Sequence, residues 1–251
     1  MDKVTAYLQR IGFTGTPRPD FDTLHALQRL HLQTVPYENL DIMQGIPLSL
    51  EIEDIYEKIV TRKRGGYCFE LNAIFAWLLR SIGFKVTDYM ARFLKDEPEI
   101  PMRRHRVLGV NCADGDYLCD VGVGVTVPRM PIPIIAGKAS KQGSETYILE
   151  KDGFLGYVLY EWYRESWRKL YSFTLEPQLE QDFIAVSFYC EKHPDSVFIA
   201  QEKVHIFTED GRKSVSGREI RIFSPDGVKV LQPATDAAFY ELLSVHFGIN
   251  I

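Results

Sequence analysis

The sequence predicts an α+β protein in which helices come first and strands follow. Between residues 20 and 84, apolar residues recur at steps of three and four, as at Leu24 and Leu27, which is the spacing of an amphipathic helix. After Gly83 the pattern changes to short β-branched and aromatic runs separated by turn signals such as Asp-Gly. Helices and strands that occupy separate parts of a chain are typical of the segregated α+β class.

Several short helices are expected in the first region, because Pro36 and Pro47 interrupt it. The last of them follows the glycine pair Gly65 and Gly66, which allows a tight turn. Four apolar residues recur on one face of this helix: Leu71, Phe75, Leu78 and Ile82.

An antiparallel sheet or small barrel is expected in the middle of the chain. The predicted strands are 107–110, 117–121, 146–149 and 157–160. Residues 113–116 are predicted as a four-residue loop that makes a hairpin of the first two strands. The proline- and glycine-containing stretch 128–144 is predicted as a structured loop or linker.

Two more strands and a helix are predicted toward the end of the chain. The strands are 203–208 and 216–223, with Asp210 and Gly211 as the turn between them. The helix Asp236–Phe247 ends at the stop signal Gly248.

The composition is that of a soluble globular protein. The 251 residues carry a formal net charge of −5, which disfavours binding to nucleic acid through a positively charged surface. No run of 18 apolar residues suggests a membrane span, and the first ten residues lack a secretory signal pattern, so we expect a cytoplasmic protein. The basic cluster 62–64 is interpreted as a solvated helix end.

Cysteine and histidine spacings argue against a metal site. The four cysteines lie at 68, 112, 119 and 190 without a CxxC pair, and the histidines show neither HxH nor HExxH spacing. We therefore expect free thiols and no bound metal.

Cys68 is the first candidate for a catalytic residue. It follows Gly65 and Gly66 at the predicted start of a helix. Unpaired backbone N–H groups at a helix N-terminus favour a thiolate and can stabilise an oxyanion. The alternative is that Cys68 is a small buried apolar residue, which is the commoner role of a lone cysteine.

His105 and Asp120 are the best candidates for the base and the group that orients it. If Cys112 pairs with Tyr117, both side chains lie on the same face of the predicted hairpin. That register separates them by four positions, roughly 13 Å along the strands, so a bulge, another loop or strong twist must bring them together. The alternative for Asp120 is a turn-forming role before glycine.

The residues after Asp120 suggest a ligand. Gly122 and Gly124 lack the third glycine and the helix of a dinucleotide fingerprint. They indicate instead a close approach of the backbone to a bound molecule.

Five segments of the chain resemble the arylamine N-acetyltransferase family. They are residues 36–41, residues 64–70 with Asn72, His105 with the strand after it, residues 120–124, and residues 196–198. The segments come in the family's order, and the 15-residue spacing from His105 to Asp120 matches its pattern.

The resemblance implies a fold and a chemistry. It implies an N-terminal helical bundle (1–85), an antiparallel β-barrel (86–190) and a C-terminal α/β lid (191–251), with a cysteine-protease-like core. It also implies a triad of Cys68, His105 and Asp120, and acetyl-CoA as co-substrate with no bound cofactor. An acetyl group would pass through Cys68 to a small aromatic amine or hydrazine by a ping-pong mechanism, as in the metabolism of foreign compounds.

The same resemblance places Tyr37, Val123 and Phe198 in the acceptor pocket. The close backbone approach at Gly122 and Gly124 is expected to be to the donor. Family members usually carry phenylalanine at the position of Val123 and often at that of Tyr37. An aromatic contact of about 0.5–1.5 kcal/mol is lost where valine replaces phenylalanine, so the acceptor preference of this chain is left open.

Two other functions use the same residues. A cysteine hydrolase or transglutaminase-like enzyme would have the same triad but transfer the acyl group to water or to a protein lysine. A binding protein that kept the fold and lost the activity is the alternative from another class. The presence of all three triad residue types favours an enzyme.

Overall fold

The structure, a computed structural model, describes residues 1–124 and 127–251. Its helices are α1 Lys3–Arg10, α2 Phe21–Thr34, α3 Leu40–Met43, α4 Ile52–Tyr56 continued by a π-helical turn Glu57–Thr61, α5 Cys68–Ile82, α6 Asp182–Lys192 and α7 Asp236–Phe247. Its strands are β1 Tyr37–Glu38, β2 Lys85–Phe93, β3 His105–Cys112, β4 Gly115–Cys119, β5 Ile132–Pro133, β6 Ala139–Gln142, β7 Glu145–Asp152, β8 Gly156–Tyr163, β9 Ser166–Phe173, β10 Lys203–Phe207, β11 Arg212–Ser216, β12 Glu219–Ser224 and β13 Gly227–Leu231.

The first helices surround α5. Asp2 and Asp20 cap α1 and α2 by accepting hydrogen bonds from backbone N–H groups in the first turn, which satisfies donors that have no partner within the helix. Helix α5 is apolar on nearly every side and almost wholly buried, so it is the centre of the helical bundle rather than a surface helix. Gly83, at φ 106°, ends it in the left-handed conformation.

Eight antiparallel strands form a nearly closed barrel beside this bundle. Their order is β5-β4-β3-β2-β9-β8-β7-β6. The two edges approach each other at the side chain of Gln142, which accepts a hydrogen bond from Met130 N and donates one to Met130 O. Strand residues facing inward, such as Val107, Tyr147 and Leu159, form the barrel core.

A second sheet joins the end of the chain to its beginning. Its order is β1-β10-β11-β12-β13, and α7 packs on it through Phe239, Leu243 and Phe247. The side chain of Asn39 donates to the carbonyls of Phe198 and Gln201. Helix α6 instead contributes to the core of the helical bundle.

The predicted α+β class, with a helical bundle, an antiparallel barrel and a C-terminal α/β lid, is confirmed. The predicted strand 216–223 was wrong. Residues 212–216 and 219–224 are separate strands joined by a turn at Gly217, whose φ is 59°, because glycine reverses the chain there at no steric cost. The boundaries 85/86 and 190/191 remain a prediction.

The helices of the described residues are too short or too polar to cross a bilayer.

Candidate active site

Cys68 is the first residue of α5, as predicted, and is 2% exposed. The Glu70 carboxylate accepts a hydrogen bond from Tyr67 N at 3.1 Å. An acidic residue in the first turn satisfies a free donor and complements the positive end of the helix dipole. The sulfur therefore lies at a helix N-terminus that is fixed by the chain's own side chains.

The glycine pair before Cys68 packs against the segment before β1. A Cβ atom on Gly65 would lie 2.0 Å from the carbonyl oxygen of Pro36, a distance that no side chain can accommodate. Glu38 N donates to Gly66 O at 2.8 Å. The two backbones thus touch, and this contact sets the position at which α5 begins.

A buried group of five charged residues supports this turn: Glu38, Asp41, Lys58, Arg64 and Glu70. The Arg64 guanidinium donates to both Glu38 oxygens and to Asp41. Lys58 Nζ lies 2.8 Å from both Asp41 and Glu70. Burial of ions without partners costs several kcal/mol, so such groups occur where every charge is paired.

The interpretation of residues 62–64 as a solvated cluster was wrong for one member. Arg62 and Lys63 are exposed, but Arg64 is 7% exposed and ion-paired. Its planar guanidinium matches the carboxylate of Glu38 in a bidentate geometry that lysine cannot adopt.

His105 and Asp120 meet on the barrel side. His105 Nε2 lies 2.7 Å from Asp120 Oδ2, and both residues are buried. Because the carboxylate accepts the proton on Nε2, the other nitrogen, Nδ1, is left as the basic atom of the ring. In the described part of the chain, no residue hydrogen-bonds to Nδ1.

Asn72 of α5 holds Asp120 in place. Its Nδ2 donates to Asp120 Oδ1 at 3.0 Å and to Arg106 O at 2.7 Å, and its Oδ1 accepts from Val121 N at 3.0 Å. Gly122 N also donates to Asp120 Oδ1, at 2.9 Å. One amide therefore connects α5, which begins at Cys68, to the strand that carries His105 and to the loop that carries Asp120.

The predicted hairpin register was wrong by two positions. Cys112 pairs with Gly115 rather than with Tyr117, because the turn has two residues and Gly115, at φ 147°, already belongs to the strand. In this register His105 stands two positions from Asp120 along the strands instead of four. The chain leaves the β3–β4 ladder after Cys119, which lets Asp120 turn toward the ring.

Burial raises the pKa of the Cys68 thiol well above its ordinary value, and the nearby side chains of Cys190 and Asp120 raise it further. Hydrogen bonds from the backbone N–H groups of Arg106 and Phe69 lower it. Burial thus opposes the effect that the helix N-terminus has on the thiol. A base must take the proton as the sulfur reacts.

A cavity of about 220 Å³ opens onto Cys68 and His105. The other residues that line it are Tyr37, Phe93, Lys95, Glu97, Arg104, Gly122, Val123, Gly124, Val197, Phe198 and Lys203. The Sγ of Cys68 lies 3.9 Å from the carbonyl oxygen of Arg104. A thiol, an oriented imidazole and a small cavity are the parts that acyl transfer through a cysteine requires.

A family model described as N-acetyltransferase matches residues 20–251. A protein of Mycobacterium tuberculosis named arylamine N-acetyltransferase is 35% identical to this chain, covering 99% of it and 89% of the relative.

The chain belongs to the arylamine N-acetyltransferase family.

It is therefore an acyltransferase. The solved structure of the Salmonella typhimurium arylamine N-acetyltransferase superposes with a TM-score of 0.94 at 27% identity, covering 99% of this chain and 92% of that one. The Mycobacterium marinum enzyme, whose structure was solved in complex with CoA, gives a TM-score of 0.90 at 32% identity, covering 98% of this chain and 93% of that one.

In this member of the arylamine N-acetyltransferase family, Gly122 and Gly124 allow protein segments to pack closely together. A Cβ atom on Gly122 would lie 2.7 Å from Cys68 Cα, and one on Gly124 would lie 2.5 Å from the ring of Tyr37. Close packing within the protein thus accounts for both glycines. Both also line the cavity, and their part in donor binding remains a prediction.

The sequence singled out Tyr37, Val123 and Phe198, and the structure places all three on the cavity wall. Sequence reasoning missed the role of Asn72, although its position one helical turn after Cys68 was a usable signal. It also missed six cavity residues: Phe93, Lys95, Glu97, Arg104, Val197 and Lys203.

Among residues 1–124 and 127–251, no three His, Cys, Asp or Glu side chains form a group that could hold a metal ion.

Proposed function

We propose that the protein transfers an acetyl group from acetyl-CoA to aromatic amines and hydrazines through an acetyl-Cys68 intermediate. The observation that carries this proposal is the 2.7 Å hydrogen bond from His105 Nε2 to Asp120. It makes Nδ1 the base in a cavity that also contains the buried thiol of Cys68.

In the first half-reaction, His105 Nδ1 takes the proton of Cys68 as the sulfur attacks the thioester carbonyl. A bond forms between Sγ and the acetyl carbon, the bond to the CoA sulfur breaks, and the proton passes to that sulfur. Asp120 stabilises the imidazolium that forms in between. The backbone N–H groups at the start of α5 would donate hydrogen bonds to the developing oxyanion.

In the second half-reaction, the amine nitrogen attacks the acetyl carbon of the thioester on Cys68. The C–S bond breaks, and His105 carries the proton of the amine to the leaving sulfur. Because one thioester replaces another in the first step, the acetyl-enzyme stores the energy that amide formation releases. Donor and acceptor use the same cavity in turn, which is ping-pong kinetics.

Three features support acetyl-CoA and a small aromatic acceptor. A relative in this family has been solved with CoA bound. The cavity volume of about 220 Å³ is below the range of about 300–1,000 Å³ that holds drug-sized ligands, so it suits a single ring. The rings of Tyr37, Phe93 and Phe198 supply aromatic contacts. We place this activity in the cytoplasm, where it would modify foreign aromatic amines.

Intact-mass measurement after mixing with acetyl-CoA tests the intermediate. The expected result is one added acetyl group on Cys68, which disappears when an aromatic amine is added and the N-acetyl amine is released. Cys68→Ala removes the adduct and the product.

Cys112→Ala is the matched control, because Cys112 is also a buried cysteine but lies at the end of β3 opposite His105. This variant is expected to keep both the acetyl adduct and the product. An acetyl adduct that decays equally fast without amine would favour the hydrolase. Failure to form any adduct would exclude the proposed mechanism.

A further inference from the structure

The cavity that opens onto Cys68 is lined by both aromatic and charged side chains. The charged ones are Lys95, Glu97, Arg104 and Lys203. Three positive charges and one negative charge leave an excess of two positive charges in a small, partly enclosed volume. The chain as a whole has a net charge of −5, so the local positive charge of the cavity is opposite in sign to the net charge of the protein.

The four charges are not paired equally. The Arg104 guanidinium lies 2.5 Å from the Glu97 carboxylate, so this pair is internally neutral. In the described part of the chain, neither Lys95 nor Lys203 has a carboxylate within 4.0 Å of its ammonium group. Both are intermediate in exposure.

The backbone of each lysine is fixed. Lys95 N donates to Leu170 O of β9 at 3.0 Å. Lys203 begins β10, and its N–H donates to Asn39 Oδ1 at 2.6 Å. These hydrogen bonds hold the backbone of both lysines beside the cavity.

Burial lowers the pKa of Lys95 and of Lys203, and neighbouring arginines, Arg168 and Arg104 respectively, lower it further. Glu161 and Asp96 oppose this shift at Lys95, but its pKa still lies below the ordinary value. An anion in the cavity would interact favourably with both cations and restore the balance.

We propose that Lys95 and Lys203 make the site selective for acceptors that carry a carboxylate on the ring, as aminobenzoates do. This inference rests on the proposed function and specifies the acceptor within it. The ring would lie against the aromatic side chains that line the cavity with its amine toward Cys68, and its carboxylate would interact with the two ammonium groups.

An acceptor carboxylate fits these lysines better than a phosphate of the donor does. The nucleotide of CoA is too large for a cavity of about 220 Å³, so its phosphates lie outside when the thioester reaches Cys68. In a ping-pong cycle CoA has also departed before the amine enters. Both ammonium groups are then uncovered at the moment the acceptor binds.

The test compares 4-aminobenzoate with its neutral analogue 4-aminobenzamide, using kcat/KM for the acceptor. Wild-type protein is expected to prefer the carboxylate, and Lys203→Gln and Lys95→Gln are each expected to lower that preference about tenfold, the equivalent of about 1.4 kcal/mol for a partly buried ion pair. Lys203→Arg retains it. Lys229→Gln, the same change at an exposed position on β13, leaves it unchanged.

A donor without phosphates separates the two possible anions. With S-acetyl-N-acetylcysteamine in place of acetyl-CoA, the acceptor preference and its loss in the variants should persist. If the lysines instead bind CoA phosphates, the variants change kcat/KM for acetyl-CoA relative to this donor and leave the acceptor ratio alone, which overturns the inference.

Equal acetylation of both amines by wild-type protein also overturns this inference while leaving the proposed function intact. Absence of acetyl transfer to either amine would mean that the proposed function itself has failed.

Discussion

The two sides of the active site are held by different chemistry. On the helical side, the start of α5 rests on five buried charges centred on Arg64 and Lys58. On the barrel side, Asp120 is fixed by an amide, Asn72, and by a backbone N–H group. The difference indicates that charge positions the helix start, while neutral hydrogen bonds leave the charge of Asp120 available to His105.

Replacing the carboxylate on the barrel side should have the largest effect on activity. Asp120→Asn removes the acceptor that fixes Nε2–H, so the imidazole can adopt the wrong tautomer. By analogy with serine protease triads, we expect kcat to fall about 10⁴-fold, or about 5.5 kcal/mol in activation free energy, with the fold kept. Single-turnover acetylation of the protein by acetyl-CoA measures this loss of rate.

The matched control is Asp116→Asn, which makes the same change at an exposed position of β4 and should leave the rate unaltered. A fall in rate of less than tenfold in Asp120→Asn would show that the triad assignment is wrong.

Breaking the charged side should mainly affect stability. Arg64→Met leaves the buried carboxylates of Glu38 and Asp41 without their shared cation, so we expect a loss of about 3–5 kcal/mol in the free energy of unfolding. Denaturant titration measures this loss. Arg62→Met, at the exposed position two residues earlier, should change it by less than about 0.5 kcal/mol; similar losses in both variants would contradict the distinction between them.

Asn72→Ala tests the amide that connects the two sides. The change removes three hydrogen bonds and leaves Val121 N and Arg106 O without this partner, so we expect a loss of about 2–3 kcal/mol in stability. The acetylation rate should fall as well, because Asp120 loses a donor. Stability and rate are measured on the same sample.

Ser81→Ala, farther along α5 with an exposed hydroxyl, is the control and should alter neither quantity. If Asn72→Ala lowers stability without slowing acetylation, the amide supports the fold but does not position the carboxylate.

Acid should weaken the helical side through a buried histidine. Burial lowers the pKa of His31 from 6.5 to about 3, so this ring stays neutral in the folded state while it gains a proton in the unfolded chain. Stability is then complete above pH 6.5 and is lost as pH falls toward 3. The slope should be about 1.4 kcal/mol per pH unit from this residue.

His31→Gln removes the titrating group and keeps polar atoms near the Tyr7 hydroxyl, which bonds to His31 Nδ1. The variant should show a shallower decline in unfolding free energy between pH 6.5 and 4. Parallel curves for the two proteins would mean that His31 does not titrate as expected.

Local features of the site could be predicted from sequence, and long-range ones could not. Cys68 was placed at a helix start because two glycines and a helical periodicity are local signals. The face shared by His105 and Asp120 followed from strand alternation, but the loop length did not, since Gly115 serves the strand rather than the turn. Partners of Asn72 and Arg64 lie in other elements, so their roles depend on tertiary contacts that no short motif encodes.

The cavity lysines illustrate the same limit. Lys95 lies in the turn after β2, and Lys203 begins β10 of the other sheet. Only the fold brings both residues to the same cavity.

The pairing of β1 with β10 has a consequence for the order in which the protein is made. Tyr37 and Phe198 line the same cavity, and Asn39 is bonded to the carbonyls of Phe198 and Gln201. While the chain is being synthesised, helix α5 and the barrel can form first. The cavity beside Cys68 then stays incomplete until residues 198–207 have left the ribosome, so the Cys68 thiol passes through an interval without its final enclosure.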